Sequence, residues 1–171
     1  MPDVPLHPVD LSPEELLAQC EITFVRRSGP GGQHRNKVST GVVLMHKATG
    51  VTAEANERRS QAANREVALD RLRVRLALEI RSCRVDEAIP SALWRMRAGG
   101  GRILVSRKHQ DFARLLAEAL DVIAANDFDH KKAADRLGCS PSQLIKLFAK
   151  EPESLRWLNH HRAERMLHPL R

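Results

Sequence analysis

A chain of 171 residues with 42% hydrophobic side chains can fill one domain of ordinary size or two small ones. The net charge of +7 suits a polyanionic partner, while 4% aromatics and no tyrosine argue against a base-stacking RNA-recognition sheet. No stretch approaches the ~20 apolar residues of a membrane span, and Met1 to Asp10, with three prolines and two acids, has no apolar run of the signal-peptide kind.

The first predicted element is a short helix opened by Ser12, with Pro13 in its first position and Glu15 closing a capping box. Glu21 to Arg26 alternates as a strand. Ser28-Gly-Pro-Gly-Gly-Gln-His-Arg-Asn-Lys37 follows, a polar loop whose glycines permit a thin, tightly folded backbone. Gln33 offers an amide and a backbone N–H at its apex, and Arg26, Arg27, Arg35 and Lys37 surround it with charge suited to phosphate. Taken alone, such a loop is equally an ordinary hairpin connection. Thr40 to Lys47 and Val51 to Ala55 supply two further strands joined at Thr49-Gly50. Ser60 then caps a long helix whose Leu69, Leu72, Leu76 and Ile80 form one apolar stripe. Arg65, Arg71, Arg73 and Arg75 fall largely elsewhere on it, where ion pairs with Glu66, Asp70 and Glu79 compete with RNA contact as their role.

Ala88 to Gln110 contains no acid but carries Arg95, Arg97, Arg102, Arg107 and Lys108 around Gly99-Gly100-Gly101. It reads as a flexible cationic connector with a short strand at Ile103 to Val105. Asp111 to Ala125 is strongly helical by the spacing of Phe112, Leu115, Leu116, Ala119, Leu120 and Ile123. Lys132 to Leu147 is similar to a helix-turn-helix: Ala134 allows a close crossing, Gly138 makes the turn, and Ser140 with Pro141 starts the next helix. Its outer face offers only Ser142, Gln143, Lys146 and Lys150, which favours a compact helical unit over a reader of bases. Leu155, Leu158 and Met166 are expected in the core of a last helix, and His160, His161 and His168 at the surface without a metal-ligand pattern. Cys20, Cys83 and Cys139, odd in number and far apart, fit reduced thiols packed in a core.

The Ser-Gly-x-Gly-Gly-Gln-x-x-Asn loop, the Thr49-Gly50 turn and the helix start Arg59-Ser60-Gln61-Ala62-Ala63-Asn64 recur in one order. Together they resemble the catalytic domain of class I peptide chain release factors and of the related ribosome-rescue peptidyl-tRNA hydrolases, over roughly Glu21 to Arg81. The resemblance implies an α+β fold in which a small mixed sheet packs on a long helix. The domains expected are 1–84 as the catalytic domain, 85–110 as a basic Gly-rich connector and 111–171 as an all-α, helix-turn-helix-like module. It further implies a cytoplasmic, monomeric peptidyl-tRNA hydrolase that acts without cofactor or metal in the peptidyl transferase centre. Its partners would be large-subunit rRNA, peptidyl-tRNA and a methyltransferase acting on the glutamine.

Gly31, Gly32 and Gln33 take the catalytic role by this resemblance, and Arg26, Arg27, Ser28, His34, Arg35, Asn36, Lys37, Arg59, Ser60 and Gln61 the RNA contacts. Ester hydrolysis needs an ordered water and stabilisation of a tetrahedral intermediate, which an amide and a backbone N–H can supply without a protein nucleophile. His34 beside the tip could be imagined as a base, but the family gives that position no catalytic part. Only thirty-two residues precede Gln33 and no stop-codon-reading tripeptide can be placed, so release without codon reading is expected. The rescue hydrolases carry a Lys/Arg-rich tail where this chain has helices of mixed charge, which argues against sensing a vacant mRNA channel by that route. Two other classes remain: a noncatalytic ribosome-binding factor, and a helix-turn-helix DNA-binding regulator.

Overall fold

The computed structural model describes residues 7–26, 40–82 and 89–171. These fall into two compact units, Leu6–Glu79 and Ile80–Arg171.

In the first unit a 3-10 turn at Pro8–Asp10 leads into α1, Pro13–Ala18. The capping box is formed: Ser12 Oγ accepts from Glu15 N at 3.2 Å and Glu15 Oε2 accepts from Ser12 N at 2.8 Å. Strands β1 (Cys20–Val25), β2 (Gly41–His46) and β3 (Thr52–Ala55) make one sheet in the order β1-β2-β3. Both pairings are antiparallel, so the sheet is not the mixed one expected. Consecutive strands lie side by side here, and none is separated by the crossover that parallel pairing requires. Helix α2, Gln61–Glu79, packs against β2 and β3 and buries Ala68, Leu69, Leu72 and Leu76. Val42, Leu44, Ala53 and Ala55 form the opposing layer. Ile80 lies one residue beyond the helix.

Two polar ties hold α2 to its surroundings. Arg71 donates to Glu54 O at 2.7 Å and pairs with Glu57 at 2.6 Å, and Arg73 donates to Leu11 O at 2.7 Å. Of the ion pairs expected along the helix, Arg75 with Glu79 is present at 3.2 Å. Arg71 reaches across to the loop after β3 instead, because the sheet brings Glu57 within range of the helix side.

His46 closes β2 with 1% of its surface exposed. Its Nε2 meets Gln19 Oε1 at 3.1 Å and its Nδ1 meets Thr49 Oγ1 at 2.9 Å. Burial pushes the imidazole below its ordinary value of 6.5. Burial does the same to His130 in the second unit, with Arg162 adding to the effect. A lowered folded-state value means that the unfolded chain binds more protons, so this stability is complete above about pH 6.5 and is lost as pH falls below it. The melting temperature should therefore fall between pH 7 and about 5.5, and more shallowly in a His46→Gln, His130→Gln double variant. A melting temperature that rises on acidification across that window would contradict this.

In the second unit α3 (Ala92–Arg97) runs into a hairpin of β4 (Ala98–Gly99) and β5 (Arg102–Ile103). The segment expected as a flexible connector is thus folded over residues 89–110. Trp94 supplies the reason: it is 1% exposed and its Nε1 donates to Leu137 O at 2.8 Å, so the segment carries part of the core. A division at Gln110 would strip that core, and the contact boundary lies between Glu79 and Ile80.

Helix α4, Phe112–Ala125, is buried on nearly every side. Its two buried acids are satisfied: Glu118 accepts from Ser91 N and Oγ at 2.7 and 2.5 Å, and Asp121 from Ser82 N and Oγ at 3.2 and 2.8 Å. The helix-turn-helix forms as α5 (His130–Leu137) and α6 (Pro141–Ala149). Gly138 adopts φ +66° at the turn, where Cys139 N returns to Ala134 O at 3.0 Å, and Ser140 Oγ caps α6 through Gln143 N at 3.3 Å. Cys139 is buried in this turn and its thiol is pushed up to about 11. Cys20 is likewise buried and free, and Cys83 lies outside the described residues.

Helix α7, Pro152–Glu164, buries Leu158, but Met166 is 95% exposed rather than in the core. The helix ends before Met166, whose φ of +55° turns the chain away. Ser154 and Arg162 take buried places instead, through hydrogen bonds to Phe148 O at 2.8 Å and Phe128 O at 2.5 Å. His160 is exposed, whereas His161 stacks on Phe128 with ring centres 5.0 Å apart. Among the described residues no helix is long and apolar enough to cross a membrane, and no cluster of metal-ligating side chains occurs.

Candidate functional site

The strand pairing frames the Gly-Gly-Gln stretch. Val25 of β1 and Gly41 of β2 are partners at the end of the register, so the chain leaves and re-enters the sheet at adjacent positions. A side chain at Gly41 would have no room there: a Cβ would stand 2.8 Å from Val25 Cγ2 and 2.9 Å from Val25 O. Arg27, Ser28, Gly31, Gly32, Gln33, His34, Arg35, Asn36 and Lys37 lie outside the described residues. Arg26, Arg59, Ser60 and Gln61 are described, and all four are exposed.

The start of α2 is joined to the foot of this stretch by one side chain. Asn64 is fully buried and uses its whole amide: Oδ1 accepts from Arg58 N at 2.8 Å, and Nδ2 donates to Arg58 O at 2.9 Å and to Thr40 O at 2.7 Å. Thr40 immediately precedes β2. The contact therefore brings Arg58, Arg59, Ser60 and Gln61 beside the point where the chain re-enters the sheet. Ser60 keeps its predicted capping role, its Oγ accepting from Ala63 N at 3.4 Å, while its carbonyl accepts from Asn64 N at 3.0 Å.

The charge at this joint is positive. Glu57 is engaged by Arg71, and no carboxylate among the described residues pairs with Arg58 or Arg59. Both arginines are exposed and stand just before the positive dipole end of α2. Phe24 adds an exposed apolar side chain two residues before Arg26.

Asn64 and Gly41 drew no role from the sequence. The available signals for Asn64 were its place at the end of the Arg59-Ser60-Gln61-Ala62-Ala63-Asn64 motif and an amide standing four residues before Ala68 on the same helical stripe as Leu72 and Leu76, where an apolar residue belongs. Nothing local marks Gly41, whose constraint comes from a neighbour sixteen positions away.

Comparison with known proteins agrees with this architecture. The RF-1 domain model matches residues 9–98. Peptide chain release factor 1 of Xylella fastidiosa is 37% identical over 100 residues, which is 58% of this chain and 24% of that protein. Peptide chain release factor 2 of Lactiplantibacillus plantarum is 44% identical over 68 residues, covering 40% of this chain and 17% of that protein. Chloroplastic peptide chain release factor PrfB1 of Arabidopsis thaliana is 42% identical over 88 residues, covering 51% and 19%. The chain thus spans at most about a quarter of these relatives' own length. With more than half of its residues matched to the RF-1 domain, the chain belongs to the RF-1 domain family.

Proposed function

We propose that this protein hydrolyses the ester of peptidyl-tRNA on the ribosome, without reading a stop codon. The observation that carries the reading is the Gly31-Gly32-Gln33 motif in the stretch that joins the paired residues Val25 and Gly41, near a cationic helix start, inside an RF-1 domain. A glycine-rich stretch carrying Gln33 suits close approach to rRNA, with Arg26, Arg27, Arg35, Lys37 and Arg59 matched to phosphate.

In the proposed reaction the oxygen of an ordered water attacks the ester carbonyl carbon, and the bond to the tRNA 3′-oxygen breaks as that oxygen takes up a proton. Gln33 supplies the backbone N–H and the amide that stabilise the tetrahedral oxyanion and the leaving oxygen, and Gly31 and Gly32 set its position. Ser28, His34, Asn36, Ser60 and Gln61 hold the neighbouring RNA. The names of the relatives support peptide release as the general activity. Codon independence is the finer part of the proposal. It rests on the sequence reading that no stop-codon-reading tripeptide can be placed.

Ribosomes carrying peptidyl-tRNA in the P site, with a stop codon, a sense codon or no codon in the A site, test both parts. Equal release from all three is expected. Release confined to stop codons would overturn codon independence, and ribosome binding without release would leave a noncatalytic factor. Within the same assay Gln33→Glu replaces the amide donor by an anion facing developing negative charge, so the maximal rate should fall about 10²- to 10³-fold. A rate that rises as the carboxylate ionises would contradict the role of Gln33.

A further inference from the structure

We propose that the seam between the β4–β5 hairpin and α6 in the second unit is a docking surface for duplex RNA, held through its phosphates. The hairpin strand alternates strictly around the seam: Arg102 and Leu104 are exposed, while Ile103 and Val105 are buried. Two backbone groups of the segment 102–105 bind α6 and its C-cap Lys150. Ile103 N donates to Gln143 Oε1 in a long hydrogen bond of 3.5 Å, and Lys150 Nζ donates to Val105 O. Gln143, Lys146 and Lys150 recur at steps of three and four, so they form one stripe of α6 that runs along the hairpin. Lys146, between the two residues that touch the strand, is exposed.

Part of the unit's positive charge is neutralised internally, and the seam, like Arg95, Lys108 and Lys131, keeps cations that are not. Arg97 is neutralised by Asp111 at 2.7 Å, Arg107 by Glu151 at 2.8 Å and Arg81 by Asp121 at 3.5 Å. Arg102 and Lys146 have no carboxylate partner among the described residues, and residues 89–110 contain no acid. Paired arginines thus fix the hairpin and unpaired cations face outward, which is the pattern expected of a polyanion site.

The chemistry of the face selects among polyanions. A single strand is held by bases stacked on aromatic side chains, and the large apolar groups exposed in this unit, Met96, Leu104, Met166 and Leu167, include no aromatic ring. Reading of base edges in a DNA major groove calls for Arg, Lys, Asn or Gln on the docking helix, but here the Gln143 carbonyl is engaged by Ile103 N and the exposed cation of the stripe is the lone ammonium of Lys146, a point charge suited to phosphate. Contacts to phosphate and shape remain, which is how A-form RNA is recognised. The choice of RNA over DNA rests on the reading of the first unit as ribosome-directed.

The test uses the full chain and a labelled RNA duplex of about 20 base pairs, with the DNA duplex of the same sequence as the second arm and a salt series for each. An Arg102→Ala, Lys146→Ala double variant should weaken RNA binding in every duplex sequence and lower the slope of log affinity against log salt by about two. Arg156→Ala, an exposed cation on α7 paired with Glu153, should leave the slope within half a unit of the parent's. An unchanged slope in the double variant, an equal loss from Arg156→Ala, or equal affinity for the DNA duplex would each overturn the proposal. No ribosome enters the measurement, so a chain that binds the duplex but releases no peptide refutes the hydrolase reading alone, and the reverse result refutes this surface alone.

Discussion

Replacing Gly32 by alanine is expected to lower the maximal rate of peptide release by roughly 10²-fold or more, while leaving the melting temperature unchanged. The proposed chemistry depends on where Gln33 holds its N–H and amide, and misplacing a catalytic group by an ångström removes that much rate. An added Cβ narrows the backbone conformations open to the residue just before it. The fold has no stake in the change. Sheet register is set from Cys20 to Val25 and from Gly41 to His46, and the core residues lie on β2, β3 and α2. Single-turnover release on ribosomes loaded with peptidyl-tRNA measures the effect directly. Wild-type rates in the variant would remove the tip from the mechanism.

Asn64→Ala is expected to have the largest effect on stability, with consequences for release. The substitution leaves Thr40 O, Arg58 N and Arg58 O without the amide that satisfies them, in a site where Asn64 is fully buried and its partners are part-buried. A fully buried group left unpaired costs about 1–3 kcal/mol, and because these three are part-buried a total of roughly 1–3 kcal/mol is expected. Chemical denaturation measures it through the shift in midpoint at constant slope. Asn64→Asp should recover little of the loss: its carboxylate can still accept from Arg58 N, but it turns an acceptor toward two carbonyl oxygens. At a temperature where both variants remain folded, the maximal release rate should also fall, because the joint between the helix start and the foot of the Gly-Gly-Gln stretch has been cut. A loss of stability with the maximal rate intact would make Asn64 a fold residue only.

Several elements were legible in the sequence because the interactions that make them span only a few residues. Ser12-Pro13 followed by Glu15 contains the whole capping box of α1, and Gly138 with Ser140-Pro141 contains both the end of α5 and the start of α6. Alternation in Glu21 to Arg26 likewise declares a strand, although its Phe24 stays exposed, and the leucine steps of α2 declare the face that helix buries. The family motifs were legible for the same reason, being short and ordered along the chain.

What escaped was decided by partners far apart in sequence. Asn64 becomes a tie only because folding brings Thr40, twenty-four positions away, within 2.7 Å of its amide. Trp94 turns an acid-free, glycine-rich segment into a packed one by reaching Leu137, and no local pattern in Ala88 to Gln110 announces that carbonyl. Arg162 is an exposed cation by composition and a buried one in the fold, because Phe128 O is there to receive it. Met166 continues the apolar pattern of α7 in sequence but lies past the point where the helix ends. The sequence by itself determined the local units, their caps, their buried faces and the motif-bearing stretch. The tertiary structure alone decided which polar groups are satisfied in the interior and which cations are left facing solvent, because burial and pairing depend on neighbours that only the assembled fold provides.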